Sequence, residues 1–207
     1  MLIGLLADIH EAIEPLDRSL DALRSRGVTQ IVSLGDACDT FSPVGRAAEV
    51  ASRLEVAGAI GVWGNHDIGL CYQVPDTLRQ KTASSVLKYM STMRPYLSFD
   101  DCRFSHVEPW LEACKVEDLW YFDGPPDTPE KAARTFAAVP ERTTFVGHFH
   151  RWLITTPERV LDWRGEAPID LDKALRYLVV VAPVVSGWCA TFDTDSKRLT
   201  PVDVRSL

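Results

Sequence analysis

The sequence predicts an α/β fold in which two sheets pack together and helices cover the outside. Three observations carry that expectation. The first third of the chain alternates short apolar runs with amphipathic stretches, the pattern of parallel βαβ units. Each early apolar run ends in a cluster of Asp, Asn or His. From residue 143 onward the chain is strand-rich, with short apolar runs broken by turn residues.

The elements follow in order. Residues 2–7 form a continuous apolar run, the mark of a strand buried on both faces. Leu16, Leu20 and Leu23 fall on one helical face, and Gly27 is placed to stop that helix. Residues 28–34 read as a second strand, 47–57 as a helix ended by Gly58, and 59–63 as a third strand. Two consecutive βαβ units with parallel strands result. Residues 76–93 look helical and 102–106 look like a strand. Residues 107–126 are irregular and aromatic, and 128–138 form a helix with a Thr128 cap and a proline after it. Strands are expected at 143–147, 152–156, 176–182, 188–192 and 199–204, with a hairpin turn at 193–197. No linker, repeat or low-complexity stretch divides the chain, so residues 1–207 are read as a single domain.

Composition narrows the function. Apolar residues make up 46% and charged residues 25% of 207 residues, an ordinary globular balance. A chain of this length can bury roughly 70% of its unfolded surface. The net charge is −7 and no Lys/Arg-rich run occurs, so nucleic-acid binding is not indicated. The five cysteines are widely spaced with no C-x-x-C pair, which fits free thiols and a cytoplasmic location. The N-terminal apolar run has no basic region before it and is short for a signal peptide. No apolar stretch reaches the roughly 18 residues of a membrane span. Nothing in the sequence sets the oligomeric state.

The polar clusters carry the chemistry. The first three strands end in Asp8-Ile9-His10, Gly35-Asp36 and Gly64-Asn65-His66-Asp67. Later strands end in His106 and in Gly147-His148-Phe149-His150. Ligands of open α/β sheets gather beyond the carboxyl ends of the strands. The gaps from Asp8 to Asp36 and from Asp36 to Asn65 are 28 and 29 residues, about one βαβ unit each. All five histidines lie at the ends of expected strands. Carboxylate, imidazole and amide donors without cysteine favour Mn²⁺, Fe²⁺, Zn²⁺ or Co²⁺ over a structural zinc site. An extended backbone at Asp8-x-His10 and His148-x-His150 would put both side chains of each pair on one side.

The ordered series D-x-H, G-D, G-N-H-D, a lone His and G-H-x-H resembles the calcineurin-like metallophosphoesterase superfamily, in its small bacterial phosphodiesterase-like branch. The resemblance implies a four-layer αββα sandwich with two mixed sheets and a dinuclear metal site at the strand ends. It implies that Asp8, His10, Asp36 and His150 hold one divalent ion. Asp36, Asn65, His106 and His148 would hold the other, with Asp36 bridging. Mn²⁺ is the first expectation, with Fe²⁺, Zn²⁺, Co²⁺ or Ni²⁺ as alternatives. His66 would act on the substrate and Asp67 would orient it. Asn65 and His66 would also bind the substrate, with Arg151 a further candidate. Such a site hydrolyses small phosphate esters with a hydroxide held between ions about 3.5–4 Å apart. Phosphodiesters or nucleotide-like substrates are expected. A phosphomonoesterase, including a protein phosphatase, is the alternative enzyme, and a non-catalytic scaffold is the alternative outside catalysis.

Departures from the pattern matter. The protein Ser/Thr phosphatase branch has arginines where this chain has Thr40 and Gly69, and arginine forks grip phosphomonoester dianions. Relatives have glycine where Glu11 and Val107 stand, so these side chains are expected to narrow the approach to the metals. An Asn-Pro-Gly-Ser turn of many relatives is replaced by Ala182-Pro183-Val184-Val185. Trp110, Trp120, Tyr121 and Phe122 could stack an aromatic group, but core packing is the favoured expectation.

Overall fold

The computed structural model describes residues 1–39 and 45–207, so the expectation at Thr40 lies outside the described residues. The strands are β1 (Leu2–Leu6), β2 (Gln30–Ser33), β3 (Ile60–Gly61), β4 (Leu97–Phe99), β5 (Cys102–Ser105) and β6 (Thr143–Val146). They continue with β7 (Leu153–Thr155), β8 (Ile169–Asp170), β9 (Tyr177–Val180), β10 (Trp188–Asp193) and β11 (Arg198–Asp203). The helices are α1 (Ile13–Ser25), α2 (Ala47–Val56), α3 (Ile68–Cys71), α4 (Asp76–Lys81), α5 (Ser84–Met90), α6 (Val116–Leu119) and α7 (Pro129–Ala138). One sheet has the order β3-β2-β1-β10-β11-β8 and the other β4-β5-β6-β9-β7.

Both sheets are mixed. β1, β2 and β3 run parallel, while β10, β11 and β8 are antiparallel additions. β5, β6 and β9 run parallel, flanked by antiparallel β4 and β7. Alternate residues of each strand face opposite layers. Ile3 and Leu5 of β1 meet Phe104, Phe145 and Val179 between the sheets, where the Phe104 and Phe145 rings stack at 5.5 Å. Leu6 turns outward to Leu16, Leu20 and Leu23 of α1 and Leu54 of α2. On the far side, Val146, Leu178 and Val180 pack against Ala132 of α7. The layers are therefore α, β, β, α, as the resemblance implied.

Register brings the strand ends together. Leu6 pairs with Ser33, and Ser33 with Gly61, so the loops after β1, β2 and β3 leave the same edge. In the second sheet Ser105 pairs with Val146, which sets His106 beside the Gly147 loop.

Local differences from the sequence expectation have local causes. The stretch 76–93 is two helices, because Thr82 and Ala83 take extended backbone between α4 and α5. β4 and β8 are three and two residues long, too short to show an alternating pattern. The segment expected to be irregular contains the single turn of α6. The Thr128 side chain does cap α7, accepting from the Lys131 amide. Among the described residues no helix is long and apolar enough to cross a membrane.

Candidate metal centre

The loops that carry the site are sharply turned. Asp8, His10, Glu11, Asp36, His148 and His150 have φ between 46° and 67°. Non-glycine residues rarely enter this left-handed region, and such strain gathers at functional sites. The paired side chains of Asp8-x-His10 and His148-x-His150 therefore converge through left-handed turns, not through the extended backbone expected from the sequence. Loop-to-loop bonds hold the turns: the Asp8 amide donates to Gly35 O at 3.1 Å and the His10 amide to Asp36 O at 2.9 Å. Two glycines make room. A Cβ on Gly35 would fall 2.5 Å from His106 Nδ1, and one on Gly64 would collide with the Asp36 carboxylate.

Asp36 stands at the centre. Its Oδ2 is 3.3 Å from His106 Nε2 and 3.8 Å from His10 Nε2, while its Oδ1 accepts the His66 amide at 2.9 Å. On one side, His10 Nε2 faces His150 Nε2 at 3.2 Å, and His150 Nε2 lies 3.5 Å from Asp8 Oδ1. On the other, Asn65 Oδ1 is 2.9 Å from His106 Nε2 and 3.2 Å from His148 Nδ1. The Asp8 carboxylate takes the His148 amide at 3.0 Å, tying the two sheets together at the site. All seven residues expected as ligands thus meet at one place. The structure brings Asp8, His10 and His150 within metal-ligating reach of one another, and likewise Asp8, Asp36 and His106.

These donors fit divalent cations. Imidazole nitrogens and carboxylate oxygens face one another with too few protons to satisfy them, a set that suits borderline metals. His148 Nε2 is buried with no hydrogen-bond partner among the described residues, and a buried unpaired nitrogen is costly unless something binds it. His106 Nδ1 donates to Leu34 O at 2.8 Å, which fixes the tautomer and turns Nε2 inward, as metal-binding imidazoles require.

Electrostatics follow from burial and pairing. Burial works against the charged form of His106, but the adjacent Asp36 outweighs it and pushes the imidazole to about 9. Burial would raise Asp36, yet His106 and the His66 amide hold it well below the usual carboxylate range. Burial, aided by the charge of His106, lowers His148 to about 4. Burial also lowers His10, whereas the hydrogen bond to Asp8 raises His150. A ligating imidazole must be neutral, so an ion that binds His106 displaces its proton. Mn²⁺ added at pH 7 is expected to release about one proton per chain, with affinity rising as pH climbs toward the His106 value. Calorimetry in two buffers of different ionisation enthalpy measures this. No proton release would remove His106 from the ligand set.

His66 sits at the rim, its ring 4.8 Å from that of His10. The carboxylate that meets it is not the one expected. His66 Nδ1 lies 3.1 Å from Asp39 Oδ1. Asp67 is buried and accepts the amides of Ala37, Cys38 and Gly64 at 3.1, 2.8 and 3.1 Å. It clamps two loops together and does not orient His66. Burial and the Asp36 charge push the Asp67 carboxyl up to about 7, against the opposing pull of the three amides. Asp39 was missed by sequence reasoning, although it ends a G-D-x-x-D spacing whose second Asp lies three residues after Asp36.

Other expectations change as well. Glu11 does not narrow the approach to the metals: its carboxylate accepts the amides of Asp39, at 3.2 Å, and of Arg46. Val107 is buried in the helix-side core. The 182–185 turn joins the site through its backbone, Val184 N donating to Ala7 O at 2.8 Å and Val185 N to Asp8 O at 3.3 Å. Arg151 is exposed and lines a cleft of about 440 Å³ with Arg164 and Trp152. Core packing fails for Trp120, Tyr121 and Phe122, which are exposed.

Residues 1–168 match the calcineurin-like phosphoesterase superfamily domain. No curated protein sequence matches the chain. Among solved structures it is similar to a metallophosphoesterase from Sphaerobacter thermophilus, at 22% identity and a TM-score of 0.75, covering 99% of this chain and 89% of that one. It is similar to an archaeal phosphodiesterase at 14% identity and a TM-score of 0.51, covering 98% and 99%. It is also similar to a protein serine/threonine phosphatase from Saccharomyces cerevisiae at 13% identity and a TM-score of 0.54, covering 98% and 80%. At such identities these likenesses speak to the fold alone. The family match over residues 1–168, on a chain with two mixed sheets and clustered metal-capable side chains at their edge, shows that this protein belongs to the calcineurin-like phosphoesterase superfamily.

Proposed function

We propose that the chain, acting as one domain over residues 1–207, is a metal-dependent phosphoesterase that hydrolyses small phosphodiesters. The observation that carries this reading is Asp36, whose Oδ2 stands 3.3 Å from His106 and 3.8 Å from His10, between two sets of N/O donors. Asp8, His10, Asp36 and His150 would hold one ion, and Asp36, Asn65, His106 and His148 the other. Mn²⁺ is the first choice for such donors. When bound, two such ions would supply charge neutralisation for the transition state and an activated water.

The protein's own groups do the rest. Asn65, beyond its ligand role, would offer its amide NH₂ to a phosphate oxygen. His66 can donate a proton to the leaving oxygen through the nitrogen that Asp39 does not hold. Asp39 keeps the ring in one orientation. The free cysteines favour a reducing compartment such as the cytoplasm.

Diesters are favoured over monoesters by the missing arginines. Gly69 replaces one phosphate-gripping arginine. Among the described residues no arginine side chain is in hydrogen-bond or ion-pair contact with the seven candidate ligands. A monoester dianion would lack that second clamp.

The test is metal-stripped protein, resupplied with Mn²⁺ and assayed on bis-p-nitrophenyl phosphate and p-nitrophenyl phosphate. Mn²⁺-dependent cleavage of the diester is expected, with His66→Ala lowering it by up to about 10²–10⁴-fold while metal content stays the same. Turnover of the monoester alone would establish a phosphomonoesterase. No turnover and no bound metal would establish a scaffold.

A further inference from the structure

Three consecutive large rings are partly exposed at the rim of the metal centre. Trp120, Tyr121 and Phe122 are 46%, 43% and 63% exposed. Contiguous exposed apolar surface of this kind marks a binding face. Two of the rings also touch the site. Trp120 lies 5.2 Å from the His66 ring, tilted by 49°. Phe122 lies 6.0 Å from the His148 ring, nearly edge-on at 66°.

The segment is braced. Leu119, just before it, is fully buried. Asp123, just after it, receives both guanidinium nitrogens of Arg134 at 3.0 and 3.3 Å. Lys131 Nζ donates to Asp123 O at 2.8 Å and Pro125 O at 3.3 Å. Tyr121 packs edge-on against Trp110 at 5.4 Å, and Arg134 covers the Trp110 ring at 4.1 Å. Thr155 Oγ1 anchors Pro126 O at 2.9 Å. A platform already held in place loses little entropy when a ligand settles on it.

We infer that Trp120 and Phe122 form a stacking platform for a planar aromatic ring on the retained arm of the phosphate ester, and so determine which esters the site accepts. The inference rests on the phosphoesterase reading above. Both rings border groups that would surround the phosphorus centre, His66 at the rim and His148 among the ligands. A ring attached to the ester would therefore reach them while the phosphate stays on the metals. Stacking discriminates by the presence of a π-face and tolerates different rings.

The test uses three diesters that share the p-nitrophenolate leaving group: thymidine 5′-(p-nitrophenyl phosphate), phenyl p-nitrophenyl phosphate and methyl p-nitrophenyl phosphate. Removing a stacking ring costs on the order of tenfold or more in binding. The ratio of kcat/KM for an ester with a ring on its retained arm to that for the methyl ester, whose only ring is the shared leaving group, is expected to fall about tenfold in Trp120→Ala, and less in Phe122→Ala. Trp120→Phe is expected to restore most of it. A variant that only disturbs His66 would lower all three esters together and leave the ratio unmoved, which would overturn the platform. A response of the thymidine ester alone identifies a nucleobase, and a response of the phenyl ester identifies an aryl group.

If the wild type turns over none of these esters, the phosphodiesterase reading fails. The platform is then decided by calorimetry of adenosine 5′-phosphate and phenyl phosphate against ribose 5-phosphate. Tighter binding of a ring-bearing phosphate that Trp120→Ala abolishes supports it. Equal binding of all three by the wild type overturns it.

Discussion

Asp36→Asn is expected to leave the protein folded and nearly inactive. The asparagine oxygen can still accept the His66 amide, which Asp36 Oδ1 takes at 2.9 Å, so the turn after β2 keeps its anchor. The other branch becomes an NH₂ group, pointing where His106 Nε2 and His10 Nε2 now lie 3.3 and 3.8 Å from an oxygen. A donor there faces nitrogens meant for metal and brings no negative charge to offset two cations. Metal analysis should fall from two ions to one or none. Metal ions stabilise a phosphoryl transition state by several kcal/mol, and each ~1.4 kcal/mol is tenfold in rate, so hydrolysis should drop by about three orders of magnitude. Full activity with two bound ions would refute the bridging role.

Asp39→Asn and Asp67→Asn are expected to fail in different ways. Asp67 accepts three backbone amides within the buried junction of the G-D and G-N-H-D loops. An asparagine there sets its NH₂ against at least one of those N–H groups. Losing one acceptor and stranding a buried donor costs roughly 3 kcal/mol. For a chain of this size that lowers Tm by roughly 6–12 °C. Asp39 is partly exposed and meets His66 Nδ1 at 3.1 Å. Its replacement should leave Tm almost unchanged but reduce kcat by up to about 10²-fold, the low end of what losing a general acid costs. Thermal melts and diester kinetics on the two variants decide the matter. A kcat loss in Asp67→Asn at unchanged Tm would return the orienting role to Asp67.

That reversal shows where sequence reasoning stops. Asp67 is the covalent neighbour of His66, and adjacency suggested partnership. Side-chain direction is set by backbone conformation, and at this turn Asp67 dips into the junction below the loop. The carboxylate that reaches the ring comes from the loop after a different strand. Trp120, Tyr121 and Phe122 make a similar case. Their apolarity pointed to the core, yet only the course of the chain between buried Leu119 and the anchored Asp123 shows that they face solvent beside the site.

The parallel strand-helix units, the edge at which their loops emerge and the seven candidate ligands are legible in the sequence. These depend on hydrophobic period and on polar residues at strand ends, which are local properties. How those side chains converge depends on the packing of the loops. That packing sets the left-handed turns at Asp8, His10, Asp36, His148 and His150, the pairing of Asp39 with His66, the clamp made by Asp67 and the outward aromatic rim. Each of these depends on contacts between segments far apart in the chain, and no local pattern encodes the direction in which one loop meets another.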